Sequence, residues 1–312
     1  MKKALIMFAL ILALCGCGAK PAEAEGFTVM TTIFPPYDMA REIAKDKALV
    51  KQLLPAGAES HTFEPSPQDI IAIQNSDLFI YTGGESDVWI EDILASMGEK
   101  APETLKLTDC VQMLSAETVE GMENDHHHEH DEDCHHEEYD EHVWTSPKNA
   151  IEISKAICEK MAQLDSSNSE SYNANLKSYI AELEKLDGEL SSVMENAKRN
   201  LIVVGDRFPF RYLTEHYNIE YFAAFPACGN QGDAAAATVA FLTDKVKENQ
   251  IPAVLYIEFS NHKVADAIAE SAGVKTALLH SCHNVSKEEL EGGASYITLM
   301  KNNIETLKMV LN

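Results

Sequence analysis

Short apolar runs alternate along the chain with longer stretches in which apolar positions recur every three or four residues. The short runs predict strands, and the longer stretches predict helices. In the first part of the chain the predicted strands are 27–33, 49–54 and 78–81, and the predicted helices are 69–75, 87–97 and 148–164. In the last part the predicted strands are 201–204, 253–257 and 276–279, and the predicted helices are 208–216, 238–249, 262–272 and 294–311. This alternation predicts an α/β fold with mainly parallel sheets.

One predicted helix, about 169–198, is longer than the others and separates the two series. Its apolar residues, from Tyr172 to Met194, form one stripe opposite a charged face. At 1.5 Å per residue this stretch would reach roughly 45 Å. Like any amphipathic helix it must pack through its apolar stripe. Its length also favours the interpretation that it is a stiff helix joining two lobes. We therefore predict two lobes, 27–167 and 200–312, each with a mainly parallel sheet flanked by helices, joined by a linking helix at 168–199.

The N-terminal segment predicts export. Lys2 and Lys3 precede an apolar run at 4–14, which is too short for a permanent membrane span and is typical of a signal peptide. Leucine three residues before Cys17 and glycine one before it resemble the bacterial lipobox. This resemblance implies a signal peptide at 1–16, lipidation of Cys17 and a tether at 17–26. No later segment is apolar enough to cross a membrane, so we expect an extracytoplasmic chain held at the cell membrane by lipid alone.

Composition and charge exclude some classes of partner. Hydrophobic residues make up 45% of the 312, enough to bury a sizeable core. The roughly 295 residues that would remain after export suggest two lobes rather than one. The formal net charge of −25 makes nucleic acid and anionic lipid surfaces poor partners and cations good ones.

A histidine-rich acidic run extends from Asp125 to His142. It holds seven of the twelve histidines, one cysteine and nine carboxylates, so it has almost nothing apolar to bury and predicts a solvated loop. Imidazole and thiolate are good ligands for zinc. The run therefore predicts an auxiliary metal trap, whose candidate ligands are His126, His127, His128, His130, Cys134, His135 and His136.

Two further histidines lie in loops that lead into predicted helices. His61 precedes Ser66, and His142 precedes Ser146; each serine is followed by proline, the signature of an N-cap before the first helical position. Loops at strand ends are where α/β proteins place their sites. A lone histidine in such a loop is usually structural, but two in the same setting beside a histidine-rich run favour a metal site.

These motifs together resemble those of the metal-binding lipoproteins of bacterial ABC transporters, in particular the zinc-uptake branch of these solute-binding proteins. The resemblance covers nearly the whole mature chain. It rests on Thr31, Ile33, Phe34, Pro35, Tyr37 and Asp38; on His61, Glu64, Pro65, Ser66, Pro67 and Asp69; on Asp77, Leu78, Gly83, Gly84 and Trp89; and on Glu141, His142, Val143, Trp144, Ser146 and Pro147. It implies two α/β lobes joined by one long helix, with the metal held between the lobes by two ligands from each.

The resemblance implies first-lobe ligands at His61 and His142. In the second lobe, Arg207 stands where the family usually has a histidine. A guanidinium cannot ligate a cation, so Arg207 is expected to pair with a carboxylate near the cleft. His280 stands where the family has its last ligand, an aspartate.

The expected core is therefore three histidines, His61, His142 and His280, which suits zinc with a fourth position that is open or filled by oxygen. Glu258, at the end of a predicted strand, is the first choice for that position. Asp206 or a water is an alternative, and Glu258 is equally a candidate partner for Arg207.

The cysteines have several possible roles. Cys228 and Cys282 lie in predicted loops of the second lobe. Export would place them in an oxidising setting, and the pair resembles a second-lobe disulfide of some zinc-branch relatives. In a rival interpretation Cys282 is a zinc ligand. Cys110 and Cys158 could pair within the first lobe, or Cys158 could simply be buried. Cys134 is interpreted as an auxiliary ligand.

We therefore expect a monomeric, lipid-anchored zinc-binding component that captures Zn²⁺ between its lobes and delivers it to an ABC-transporter permease with its ATPase. A manganese-binding component and a surface adhesin involved in cell adhesion are the alternatives. A zinc hydrolase is disfavoured, because the chain has no His-Glu-x-x-His helix and no Gly-x-Ser-x-Gly turn. No enzyme activity is expected.

Overall fold

The computed structural model describes residues 26–59, 62–123, 139–228 and 234–312. Two four-stranded sheets, both entirely parallel, organise the fold. The first sheet has the order β2-β1-β3-β4 and consists of β1 (Thr28–Thr31), β2 (Leu49–Gln52), β3 (Leu78–Tyr81) and β4 (Glu103–Lys106). The second has the order β6-β5-β7-β8 and consists of β5 (Leu201–Arg207), β6 (Glu220–Phe225), β7 (Ala253–Tyr256) and β8 (Lys275–Leu278).

Helices connect the strands and cover the sheets. Those of the first lobe are α1 (Phe34–Ala44), α2 (Pro67–Gln74), α3 (Val88–Met97) and α4 (Pro147–Leu164). The linking helix is α5 (Ser169–Glu195), and the second lobe adds α6 (Arg211–Tyr217), α7 (Ala236–Glu248), α8 (Lys263–Ala272), α9 (Lys287–Glu291) and α10 (Tyr296–Leu311). Short 3₁₀ turns lie at Glu85–Asp87, Gly98–Lys100, Leu107–Cys110, Val143–Thr145 and Ser166–Asn168. The predicted two-sheet α/β class is confirmed.

The structure adds four elements that the hydrophobic pattern did not predict. The first turn of α1 contains two prolines directly after Phe34. Prolines are usually loop signals but are tolerated in the first turn of a helix. β4 has one apolar residue among four and lies at the edge of its sheet. β6 follows α6 after only two residues, and α9 is only five residues long. Such short or interrupted elements depend on tertiary contacts more than on local pattern.

The linking helix packs against both lobes, as its apolar stripe predicts. It contacts α1 and α4 on one side and α10 on the other. Its fully buried residues include Tyr172, Leu183, Leu186 and Leu190, each 0% exposed. One continuous apolar core therefore runs from the first lobe through the linking helix into the second.

The two predicted N-cap serines differ. The Ser66 hydroxyl accepts a hydrogen bond from the Asp69 backbone N–H, and the Asp69 carboxylate accepts one from the Ser66 backbone N–H, which completes a capping box. Ser146 occupies the N-cap position of α4 but its side chain does not cap the helix. Its hydroxyl lies 2.7 Å from Nδ1 of His216 on α6. That serine connects the lobes instead of closing its own helix.

Several buried hydrogen bonds hold the lobes together. The indole N–H of Trp144 donates to the Ser281 carbonyl at 2.9 Å, and the Tyr296 hydroxyl donates to the Trp144 carbonyl at 2.7 Å. The Tyr296 backbone N–H donates to Asp38 at 2.8 Å. Trp144 and Tyr296 are 0% exposed, so these bonds fix the relative position of the loops that face the cleft.

Among the described residues, no helix combines the length and the apolar character that crossing a bilayer requires. The predicted signal peptide and lipidation residue lie outside the described part of the chain.

Candidate metal centre

A narrow cleft with a cavity volume of only about 20 Å³ lies between the lobes. The loops that line it follow β2 in the first sheet and β5, β6, β7 and β8 in the second, and the segment at His142 joins them. Carboxyl ends of parallel strands meet at one edge of a sheet, which is where α/β proteins bind ligands. The lining residues are Ala58, Glu59, His142, Arg207, Pro209, Ala227, Ile257, Glu258, Phe259, Ser281, His283 and Asn284.

His142 is the best-defined candidate ligand in this cleft. Its side chain is 1% exposed, and its Nδ1 lies 3.1 Å from Oδ1 of Asp140, which also accepts the His142 backbone N–H at 2.8 Å. A carboxylate on Nδ1 fixes the ring orientation and makes Nε2 the more basic ligand atom, an arrangement common at metal sites. Burial lowers the pKa of His142, but the charge and hydrogen bond of Asp140 outweigh burial and raise it above its usual value.

The structure brings Glu141, His142 and Cys228 together. One ligand atom of each lies within 4.8 Å of the others, close enough to share one metal ion. Glu141 and His142 are buried, and Cys228 is exposed, three residues after the end of β6. Of these three, only His142 was assigned to the cleft by the motif.

A second histidine, His283, faces His142. Their ring centroids are 5.6 Å apart with the planes at 86°, and His283 also lies 4.9 Å from the larger ring system of Trp144. The sequence motifs did not assign His283 to the cleft, although it stands in the same His-Ser-Cys-His run as His280. The one signal in the sequence is the separation of three residues between His280 and His283. In an extended chain, residues an odd number of positions apart point to opposite sides, so the two rings are expected to face different ways.

The structure does not place His280 with His142. The described lining of the cleft includes Ser281 and His283 but not His280. The His280 ring is 3% exposed, and its Nδ1 accepts the Cys282 backbone N–H at 2.9 Å. Its backbone N–H and carbonyl both bond the Asn303 side chain at 2.7 Å. The ring lies between two carboxylates, with Nδ1 3.6 Å from Glu258 and Nε2 3.7 Å from Glu289.

The charged pairs around the cleft resolve the role of Arg207. Its guanidinium, 8% exposed, pairs with Glu59 at 3.1 Å, and this confirms the expected carboxylate partner near the cleft. Glu258 lines the cleft but is not that partner: it accepts the Ser281 backbone N–H at 2.7 Å and the Ser281 hydroxyl. Asp206 accepts the Arg207 backbone N–H at 2.8 Å, and this bond stabilises the end of β5.

The predicted cysteine pairs are not formed. Cys228 is exposed beside His142, whereas Cys282 is 0% exposed and its thiol donates to the His280 carbonyl at 3.8 Å. Cys110 and Cys158 are also thiols, and Cys158 is buried within α4. β6 and β8, whose following loops carry Cys228 and Cys282, lie at opposite edges of the second sheet.

Other predicted site residues lie outside the described ranges. These are His61 and the auxiliary residues His126, His127, His128, His130, Cys134, His135 and His136. Glu59 lines the cleft, and His61 follows it two residues later.

Glu141 is held beside His142 by the first lobe. Its carboxylate accepts the Ser86 backbone N–H at 3.1 Å and the Ser86 hydroxyl. A side chain at Gly84 would collide with that carboxylate, so glycine is required for the close approach. The neighbouring Asp87 accepts the backbone N–H groups of Thr82 and Gly83 at 2.7 and 3.1 Å. Burial, with a contribution from Glu141, raises the pKa of Asp87 from 3.8 to about 6.

The raised pKa of Asp87 predicts a pH-dependent stability. The folded state favours the neutral acid, so this contribution is complete below pH 3.8 and is lost as the pH rises through about 6. Relative to Asp87→Asn, the metal-stripped wild type should lose roughly 3 kcal/mol of unfolding free energy across that window. Urea titrations at several pH values measure it. Asp92→Asn, an exposed site on α3, controls for removing one charge; a pH-independent difference between wild type and Asp87→Asn would contradict the prediction.

Comparisons with known proteins agree with the fold. A family model described as zinc-uptake complex component A periplasmic, ZnuA, matches residues 29–310. The chain is 30% identical over 310 residues to the zinc-binding lipoprotein AdcA of Streptococcus pneumoniae. It is 32% identical over 306 residues to the high-affinity zinc uptake system protein ZnuA of Bacillus subtilis, covering 96% of this chain and 93% of that protein. The Zn(II)-bound ZnuA-like domain of Streptococcus pneumoniae AdcA superposes with a TM-score of 0.76 at 28% identity, covering 92% of this chain and 99% of that domain.

The coverage differs among these relatives. The alignment with Streptococcus pneumoniae AdcA spans 99% of this chain but 61% of AdcA. The chain therefore corresponds to only part of that longer relative.

Proposed function

The chain belongs to the ZnuA family of zinc-uptake components, and on that premise we propose that it captures Zn²⁺ in the cleft between its lobes and delivers the ion to a membrane permease. His142 carries this proposal. It is a buried imidazole oriented by a carboxylate, at a point where the loops of both sheets converge. This family consists of solute-binding components, which agrees with the expectation of binding without catalysis.

The charges around the cleft favour a divalent cation. Glu59, Glu141 and Glu258 bring carboxylates to the cleft or its edge, and Arg207 supplies a compensating cation. Arg207 cannot ligate a cation, and its guanidinium pairs with Glu59. The overall charge of −25 would also raise the local concentration of cations.

The ligand set we propose from the family motif includes His61 and His142 from the first lobe. Glu258 and His280 remain proposed second-lobe ligands, although both are engaged within their own lobe. For His280 to ligate, its ring would have to release the Cys282 N–H or use Nε2. His283 needs no such change to face His142.

We propose that the chain acts outside the cytoplasm, anchored through lipid on Cys17, and that its partner is an ABC-transporter permease with its ATPase. Support comes from the apolar leader and the lipobox-like residues, and from relatives named as a zinc-binding lipoprotein and a zinc uptake system protein. The run at 125–138 would serve as an auxiliary trap that raises local zinc near His142.

Zinc titration of metal-stripped protein tests this function. The full chain should bind one zinc ion tightly, with manganese far weaker, and several more zinc ions weakly. A variant without 125–138 should lose the weak equivalents and keep the tight one, because the sequence predicts a solvated loop there, and ordering such a loop costs entropy that a preformed cleft does not. Isothermal titration calorimetry with a competing chelator measures both classes. Equal affinity for zinc and manganese, or no tight equivalent, would remove the proposal; loss of the tight equivalent on deletion would remove the separate role of the loop.

A further inference from the structure

We propose that Cys228 is a metal ligand of the cleft, so that a thiolate from the second lobe and the His142 imidazole from the first hold the same ion. This inference deepens the proposed function and rests on it. It replaces the disulfide role that the sequence suggested for Cys228.

The geometry brings three ligand types to one point. The Sγ of Cys228, a ring nitrogen of His142 and a carboxylate oxygen of Glu141 lie within 4.8 Å of one another. Zinc–sulfur and zinc–nitrogen bonds are about 2.3 and 2.0 Å long. At the tetrahedral angle that zinc favours, two such donors lie about 3.5 Å apart, so the cluster has to contract by about 1 Å to close on a metal.

Each lobe contributes to this cluster through a defined element. Glu141 and His142 immediately precede the 3₁₀ turn Val143–Thr145 and are 2% and 1% exposed. Cys228 lies three residues after the end of β6, next to Ala227, which lines the cleft. Because Cys228 is exposed while the other two are buried, an ion entering from solvent would meet the thiol on the open side and the imidazole on the inner side.

The neighbouring residues fit a thiolate. Arg207 lines the same cleft, and its guanidinium is bound to Glu59 at 3.1 and 3.5 Å, so it supplies positive charge without being able to ligate. Glu141 accepts two hydrogen bonds from Ser86, and an ionised carboxylate has further lone pairs for a metal. Binding would release the thiol proton to solvent and leave the metal bound to sulfur.

A thiolate in the cleft has a consequence for selectivity. Soft sulfur donors favour zinc, whereas manganese prefers oxygen. Cys228 would therefore act as a specificity-determining residue, in addition to contributing affinity. Substituting serine should lower the affinity for zinc much more than the affinity for manganese.

Cobalt substitution tests the sulfur bond directly. The full-length protein loaded with one equivalent of Co²⁺ should show a thiolate-to-cobalt charge-transfer band in the near ultraviolet. Cys228→Ser should lose that band, whereas Cys110→Ser should keep it. Cys228 is exposed, so its variant should fold, and circular dichroism with a thermal melt verifies this.

Zinc affinity and thiol protection give two independent measurements. Cys228→Ser should bind zinc on the order of 100-fold more weakly, equivalent to about 2.7 kcal/mol, with a much smaller change for manganese. Zinc should also protect Cys228 from alkylation by iodoacetamide, as mapped by mass spectrometry, while Cys110 reacts equally with and without zinc.

The outcomes separate this inference from the proposed function. Tight zinc binding that is unchanged in Cys228→Ser, with no charge-transfer band in the wild type, overturns the thiolate ligand and leaves zinc capture intact. A band that persists in Cys228→Ser and disappears in Cys282→Ser assigns the sulfur to Cys282 and also overturns it. Absence of tight zinc binding in the wild type overturns the proposed function itself.

Discussion

Replacing His142 by alanine is expected to reduce the affinity for zinc on the order of 1,000-fold, which is about 4 kcal/mol. The reason is that His142 is buried, is oriented by Asp140 at 3.1 Å and lies where both lobes meet. Losing an outer partner of a ligand typically costs 10- to 100-fold, so losing the ligand itself should cost more. Competition titration of metal-stripped protein with a chelator measures the change.

Matched variants make this result specific. His216→Ala removes a histidine outside the cleft that bonds Ser146, and it should leave zinc affinity nearly unchanged. Asp140→Asn keeps the ring but removes the carboxylate charge, and it should give an intermediate loss of 10- to 100-fold. Tight binding retained in His142→Ala would refute the metal centre described above. Alanine at His280 and at His283, in the same titration, decides which second-lobe histidine contributes.

The second large effect concerns Trp144, the residue that joins the lobes behind the cleft. Trp144→Ala should lower the unfolding free energy of metal-stripped protein by about 3–5 kcal/mol, the usual result of emptying a fully buried aromatic site. The ring is 0% exposed and lies 5.4 Å from His142 and 4.9 Å from His283. Its N–H also donates to the Ser281 carbonyl at 2.9 Å. Zinc affinity should fall as well, because both histidines lose the ring that positions them.

Denaturant titration at fixed pH measures the loss of stability, and Trp144→Phe provides the matched variant. Phenylalanine keeps most of the ring packing and removes the N–H bond to Ser281, so its cost should be about 1–3 kcal/mol. A change of less than about 1 kcal/mol in Trp144→Ala would contradict the interpretation that this residue holds the lobes together.

The alternation of short and periodic apolar segments was sufficient to predict the architecture. Among the described residues, eight of the ten α-helices, including the linking helix, and six of the eight strands lie where the pattern placed them. Those elements are long enough, or apolar enough, for the spacing of their apolar residues to match the face that the fold buries. α1 was missed because prolines open it, and β4 was missed because an edge strand requires little apolar character.

The candidate site was predicted only in part. His142 was found because it sits in a recognisable loop ahead of a helix that begins with proline. His283 and Cys228 were not assigned to the cleft, because their proximity to His142 joins residues far apart in the chain. The separation of two residues along the sequence does not show how close they lie in space when they belong to different lobes.

The sequence by itself determined the α/β class, the linking helix, the family motif and the positive charge at Arg207, since each depends on residue type or on periodicity within one segment. Only the tertiary structure decided which donors meet. After β8, the His280 ring lies between Glu258 and Glu289, whereas His283 faces His142. The loop after β6 brings Cys228 to His142 while Cys282 stays buried. Those choices follow from how two sheets pack on one helix, which fixes the direction of each side chain.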